Sequence, residues 1–221
     1  SKEYDIKPIP GIDFRNGIQQ KYIGIAINNA GFKELNEHLS QHLHTKTKFN
    51  EEAPPFNNAY VVYPFRSYTG KILLENEFIG ISAKELKSFP FSKAKHYKHK
   101  LVVLQPVTFI QKKHFNAHRL LRAIDENTLL SKLSPKQQTS NDEVIPPLNE
   151  LYYYFKDYED AVKNTEHILK VCKVDLEFGK LANKNKKFYT DSISNDIALL
   201  KSECEKGLKY RYPDLNNTIL E

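Results

Sequence analysis

Short apolar runs alternating with helical patterns, then a mostly helical remainder, predict an α/β layered or barrel architecture followed by a helical C-terminal segment. Composition supports a folded chain: of 221 residues, 40% are hydrophobic and 27% charged, as in globular domains and unlike disordered segments. That length suits one large domain, or one domain and the start of another.

The strand predictions rest on three runs rich in β-branched and aromatic residues and bounded by turn formers: YIGIAI (22–27), AYVVYPF (59–65) and KLVVLQPVTFI (100–110). The opening YDIKPIPGIDF also reads as a strand. Helical spacing predicts GFKELNEHLSQHL (31–43), then SAKEL, where Ser82 and Glu85 have capping-box spacing, and then FNAHRLLRAIDENTLLSKL (115–133). The polar, proline-bounded 134–147 reads as a loop, with a new helix near Leu148. With Asp157 as N-cap, the next helix places Ala161, Thr165, Ile168, Leu169 and Cys172 on one face. Residues 192–212 continue helically until Pro213. DLNNTILE (214–221) reads as a capped helix start cut after its first turn. Together with the abrupt opening strand, it leads to the expectation that the chain lies inside a longer protein.

Cys172 and Cys204 are far apart on helical stretches and are expected as free thiols. The net charge of +6 is compatible with a polyanionic partner. Two lysine-rich stretches could track phosphates: SKAKHYKHK (92–100), with Lys93, Lys95 and Lys98 around Tyr97, and GKLANKNKK (179–187), with Lys184, Lys186 and Lys187. Solvated loops are the plainer reading. No run reaches the ~20 apolar residues of a membrane span, and no signal-peptide core opens the chain, so a cytoplasmic protein without a membrane partner is expected. Phosphate-loop, nucleophile-elbow, His-Glu-x-x-His and dinucleotide fingerprints are absent from the sequence.

Three stretches in order, IKPIPGIDFRNG, NAHRLLRAIDENTLL, and NTEHILKVCKVDLEFGK with LLKSECEKGLKYRYPDL, resemble the PHP (polymerase and histidinol phosphatase) domain of bacterial DNA polymerase III alpha subunits and its run into the palm. The resemblance implies a partial, distorted β/α barrel over 1–178, lacking its first strands, and a linker with the start of the palm over 179–221. Family members that hydrolyse phosphoesters use clustered metal ions, and their first histidine ligands would precede Ser1. Asp13 falls where the family has a metal-binding Glu; it could equally cap a turn before Phe14. The family's closing Asp-x-His is matched by Pro106, Val107 and Thr108, so Pro106 and Thr108 mark lost ligands. His42 or His44 could be a relic of a further ligand. By spacing, His38 and His42 share a helix face and could bind zinc, although a surface helix with titratable imidazoles explains them as well.

The resemblance thus implies a fragment of a template-directed DNA polymerase that uses magnesium. Its PHP domain would be catalytically degenerate, with no cofactor of its own, and would support the palm or dock a partner such as a proofreading subunit. DNA and the rest of the polymerase chain are the other expected partners. The alternative is an active phosphoesterase with a proofreading role, holding zinc or manganese.

Overall fold

The computed structural model describes residues 6–176 and 187–212. The chain divides into two compact units, Ser1–Asp175 and Leu176–Glu221.

The first unit is built on a hairpin. Strand β1 (Gly11–Asn16) turns through Gly17 and Ile18 into β2 (Gln19–Ala26). Gly17 has φ +62°, the positive value that a two-residue turn asks of its first central position and that glycine adopts without steric cost. Helix α1 (Asn29–Thr45) follows, its first turn capped by the Asn28 carboxamide oxygen accepting from the Gly31 N–H at 3.0 Å. Strand β3 (Ala59–Pro64) pairs antiparallel to β2; β4 (Glu77–Ile81) and β5 (Leu101–Val103) then add in parallel, giving the order β1-β2-β3-β4-β5. Short 3-10 helices (Phe65–Ser67, Leu86–Phe91, Lys95–Lys100) make the parallel crossovers and deliver Leu86 and Phe89 to the core.

Strand alternation sorts the core into two faces. Phe14, Tyr22, Val61, Tyr63, Ile79, Ile81 and Leu101 point to one face, with Leu35 of α1. Val62, Phe78 and Val102 point to the other, where α4 (Glu159–Val171) and the residue after it contribute Ile168 and Cys172.

Among the described residues the sheet is open. On the outer edge of β5, Thr165 Oγ1 accepts from the Val103 N–H at 2.8 Å, and the Asn164 amide donates to the Leu101 carbonyl at 2.9 Å. Side chains of α4 thus occupy the edge that a next barrel strand would pair with, one of the ways proteins blunt an exposed edge.

Helix α2 (Phe115–Asp125) and α3 (Leu148–Tyr154) complete the first unit, and α5 (Ile193–Arg211), capped by Ser192, forms the described part of the second. Several sequence expectations need correction. The run 100–110 is a strand only as far as Val103, because the segment then leaves the ladder and Pro106 has no N–H to give it. The helix expected over 115–133 stops at Asp125, and Asn127 follows with φ +46°. Ser82 and Glu85 do bond, Ser82 N–H and Oγ donating to Glu85 Oε2, but they open a turn into a 3-10 helix. Tyr158, not Asp157, holds the N-cap position of α4, and Leu169 is exposed. Glu77–Ile81 is a strand that the sequence reading passed over. Cys172 is buried and Cys204 exposed, both free. The helix start expected at 214–221 lies outside the described residues. Among those residues no helix is long and apolar enough to cross a membrane.

Candidate functional site

Because β3, β4 and β5 run parallel, their carboxyl ends open on the same side, and the residues that follow each strand meet there. Ligand sites of open α/β sheets gather at such ends. Here a cleft of about 390 Å³ is lined by Arg66 after β3, Ser82, Lys84 and Glu85 after β4, and Gln105 and Pro106 after β5. The loop 140–143 closes one wall with Asp142 and Glu143. That loop is tied to the β5 side by the Phe109 and Val144 bridge and by the Thr108 and Phe109 N–H groups, which donate to the Glu143 carbonyl at 2.8 and 3.0 Å.

Each carboxylate of the cleft already has partners. Glu85 is ion-paired to Arg66 at 2.8 Å and accepts from Ser82. Asp142 is paired to Lys84 and, more loosely, to Lys112 at 3.7 Å; the Lys84 hydrogen bond leads in holding its pKa below the usual range. Burial pushes the Glu143 pKa up, but hydrogen bonds from Thr108, Thr139 and Ser140 outweigh it, so this carboxyl is also held low. The result is a polar, self-neutralised cleft. Carboxylates bridged to lysine, arginine and hydroxyl donors are a poor donor set for clustered divalent metals, and among the described residues no group of three or more His, Cys, Asp or Glu side chains converges on a point.

The sequence candidates scatter over the fold. Pro106 lines the cleft, and Thr108 donates to Glu143 Oε2 at 2.7 Å just beside it. Asp13 is exposed on β1, at the opposite edge of the sheet, ion-paired to Arg15 at 2.6 Å. Asp13 is not among the residues that line the cleft.

His42 lies on a second, more open groove of about 790 Å³ lined also by Arg15, Lys21, Lys46 and Lys48. His44 is exposed at the end of α1. The His38 and His42 rings do meet, with centroids 4.7 Å apart, but their neighbours are Phe14, Phe49 and Phe56. His38 Nε2 is bonded to the Tyr22 hydroxyl at 2.8 Å. Burial, then His42, lowers the His38 pKa, which favours the neutral His38 ring among its aromatic neighbours.

In the first lysine stretch Lys93, Lys95 and Lys98 are exposed. Lys98 sits 5.1 Å from the Tyr158 ring centre, and Tyr97 is half-buried against Tyr68, so this tyrosine is not a free stacking platform. Lys187 is exposed in the second unit, and Lys184 and Lys186 lie outside the described residues. The sequence reading missed Arg66, Lys84, Asp142 and Glu143. A signal was present, since polar residues directly follow each apolar run, but without β4 the runs could not be aligned into one rim.

No family model matches the chain. It is 30% identical over 112 residues, 51% of its length, to DNA polymerase III subunit alpha of Halalkalibacterium halodurans. It is 30% identical over 121 residues to the protein of the same name from Buchnera aphidicola subsp. Acyrthosiphon pisum, and 31% identical over 80 residues to that of Pseudomonas fluorescens. The first two matches cover 55% or less of the chain and 10% of each relative, so the chain spans about a tenth of the length of the curated relatives it matches. Over about half its length, the chain is related to part of the DNA polymerase III alpha subunit.

Proposed function

We propose that this chain is a PHP-type domain, with its exit toward a polymerase palm, inside a bacterial alpha-type DNA polymerase, and that it supports the polymerase and docks a partner rather than hydrolysing phosphoesters. The open sheet would be the part of the distorted barrel that this chain supplies. The whole protein would copy DNA using magnesium, and a proofreading subunit is the kind of partner the domain would serve.

The observation that carries this reading is the chemistry of the cleft at the carboxyl ends of β3 to β5. A PHP phosphoesterase needs several metal ions there to generate hydroxide and clamp phosphate oxygens. The side chains present are instead Arg66 with Glu85 and Lys84 with Asp142, together with Pro106. A proline offers no ligand, and cations already paired to the carboxylates compete with any metal.

Elemental analysis of the intact parent protein, alongside a nitrophenyl phosphodiester assay with manganese or zinc added, tests the reading. Metal below stoichiometric amounts and no turnover are expected. Stoichiometric bound metal with turnover would make the domain a phosphoesterase and sink the scaffold role.

A further inference from the structure

The cleft beyond β3 to β5 neutralises itself, and the second groove does not. Four cations line that groove, Arg15, Lys21, Lys46 and Lys48, against a single carboxylate, Glu51. Arg15 is paired with Asp13 and Lys21 with Glu51. Among the described residues Lys46 and Lys48 have no carboxylate at ion-pair distance, so two positive charges of the lining stay unmatched.

The two walls come from segments distant in sequence. Arg15 and Lys21 flank the turn of the β1–β2 hairpin, while Lys46 and Lys48 follow α1. The walls are tied together: the Asn16 amide donates to the Phe49 carbonyl at 2.8 Å, and the Phe49 N–H donates back to Asn16 Oδ1 at 2.9 Å. At the helix end the N–H groups of Lys46 and Thr47 both donate to the His42 carbonyl, which fixes the turn that carries the lysines. A lysine at a helix carboxyl end complements the macrodipole, but that accounts for one wall only. Arg15 and Lys21 belong to the other.

Lys21 adds a second observation. It is 4% exposed, and among the described residues its amine makes one hydrogen bond, to Glu51, which is itself half exposed. An ammonium has three donors, and a buried one left short of acceptors costs free energy. Acceptor oxygens brought into the groove would supply what Glu51 alone does not.

The ligand that such a lining selects is anionic, rich in acceptor oxygens and extended. Phosphate groups meet the first two requirements. The open form and the volume of about 790 Å³ meet the third, whereas a site for a small phosphorylated molecule would bury most of its ligand. A membrane surface meets protruding side chains, and Lys21 lies inside a concavity. Phe49, the one phenylalanine or tyrosine of the lining, packs on His42 and Phe14 with ring centres 4.4 and 5.2 Å away. It offers no free face on which a base would stack.

We propose that this groove binds the sugar-phosphate backbone of a nucleic-acid strand, with Lys46 and Lys48 contacting phosphates and Lys21 adding a further contact in exchange for Glu51. The inference goes beyond the scaffold reading and uses only the side chains of this chain. It can fail while the metal assay on the parent protein holds, and the reverse.

Fluorescence anisotropy with the full 221-residue chain, using labelled single-stranded oligodeoxythymidylate and oligodeoxyadenylate, tests it. The two are expected to bind within about threefold of each other, because no base is read. Each phosphate contact contributes about 0.7 to the slope of log affinity against log salt. K46A/K48A should therefore flatten that slope by about 1.4 and weaken binding at least roughly tenfold at low salt, with an unchanged urea midpoint. The charge-matched K201A/K209A, on α5, should change binding by less than about twofold. E51Q should tighten binding by roughly threefold or more, because it releases the Lys21 amine, and misfolding does not produce a gain of affinity. The proposal is overturned if neither oligonucleotide binds, if K46A/K48A acts no more strongly than K201A/K209A, or if E51Q weakens binding. It is also overturned if polyglutamate, or vesicles of phosphatidylglycerol and phosphatidylcholine, bind more tightly than the oligonucleotides and lose that binding in K46A/K48A, since the groove would then serve an acidic peptide or a membrane.

Discussion

Glu77 shows how a single side chain can contradict its sequence appearance. It reads as a surface charge, yet it is 1% exposed at the start of β4. Its carboxylate accepts from Lys71 Nζ at 2.8 Å, the Tyr63 hydroxyl at 3.0 Å and the Leu74 N–H at 2.8 Å, and the Ala53 N–H donates to the Tyr63 oxygen. Burial works to lower the Lys71 pKa, but hydrogen bonds to Glu77 and Tyr63 outweigh it and hold the amine charged. Removing one partner of such a pair strands the other. Glu77→Ala is expected to lower the unfolding free energy by about 3–5 kcal/mol, and the double change to Leu at Glu77 and Met at Lys71 to recover most of it. Urea denaturation decides; a loss below ~1 kcal/mol would mean that the pair behaves as an exposed one. Because Glu77 stands at the amino end of β4 and neither it nor Lys71 lines the cleft, the stability change should leave the cleft chemistry intact.

Helix α1 was the element most legible in the sequence, expected over 31–43 and found over Asn29–Thr45. Its periodicity matched its burial, with Leu35 against the sheet. What the pattern could not reveal is how closely its first turn approaches the strand entry. A Cβ on Gly31 would lie 1.8 Å from the Asn58 carbonyl oxygen, a backbone atom that Glu34 holds in place by accepting from the Asn57 and Asn58 N–H groups. Helix propensity alone favours Gly31→Ala by about 1 kcal/mol. The clash outweighs it, so a net loss of roughly 1–3 kcal/mol is expected, read as a lower urea midpoint with an unchanged slope; a gain would show that the helix can shift outward freely. The elements that were misjudged failed for local reasons. The apolar run around β5 continues after the ladder has ended, and α2 ends where Asn127 takes a left-handed conformation.

At the scale of the molecule, the buried core residues among the described ones all belong to the first unit, the last of them being Val174. Both sheet faces are covered there, by α1 and by α4, and the β5 edge is capped by Asn164 and Thr165. A chain ending after Asp175 is therefore expected to unfold cooperatively with a urea midpoint close to that of the full chain; an expanded, non-cooperative product would show that the core needs the second unit. Periodicity and turn chemistry by themselves established the α/β class, the β2, β3 and β5 cores, α1, the helical end and the free thiols, because those features depend on neighbours within a few residues along the chain. The similarity to alpha subunits was also readable from short ordered stretches. Tertiary packing was needed for the rest. It settled that the sheet is open among the described residues, that Asp13 and Pro106 stand at opposite edges, and that Arg66, Lys84, Asp142 and Glu143 meet in one cleft. Each of these depends on which strands pair and which helix face turns inward, and residues far apart in sequence make that choice through contacts that no local pattern encodes.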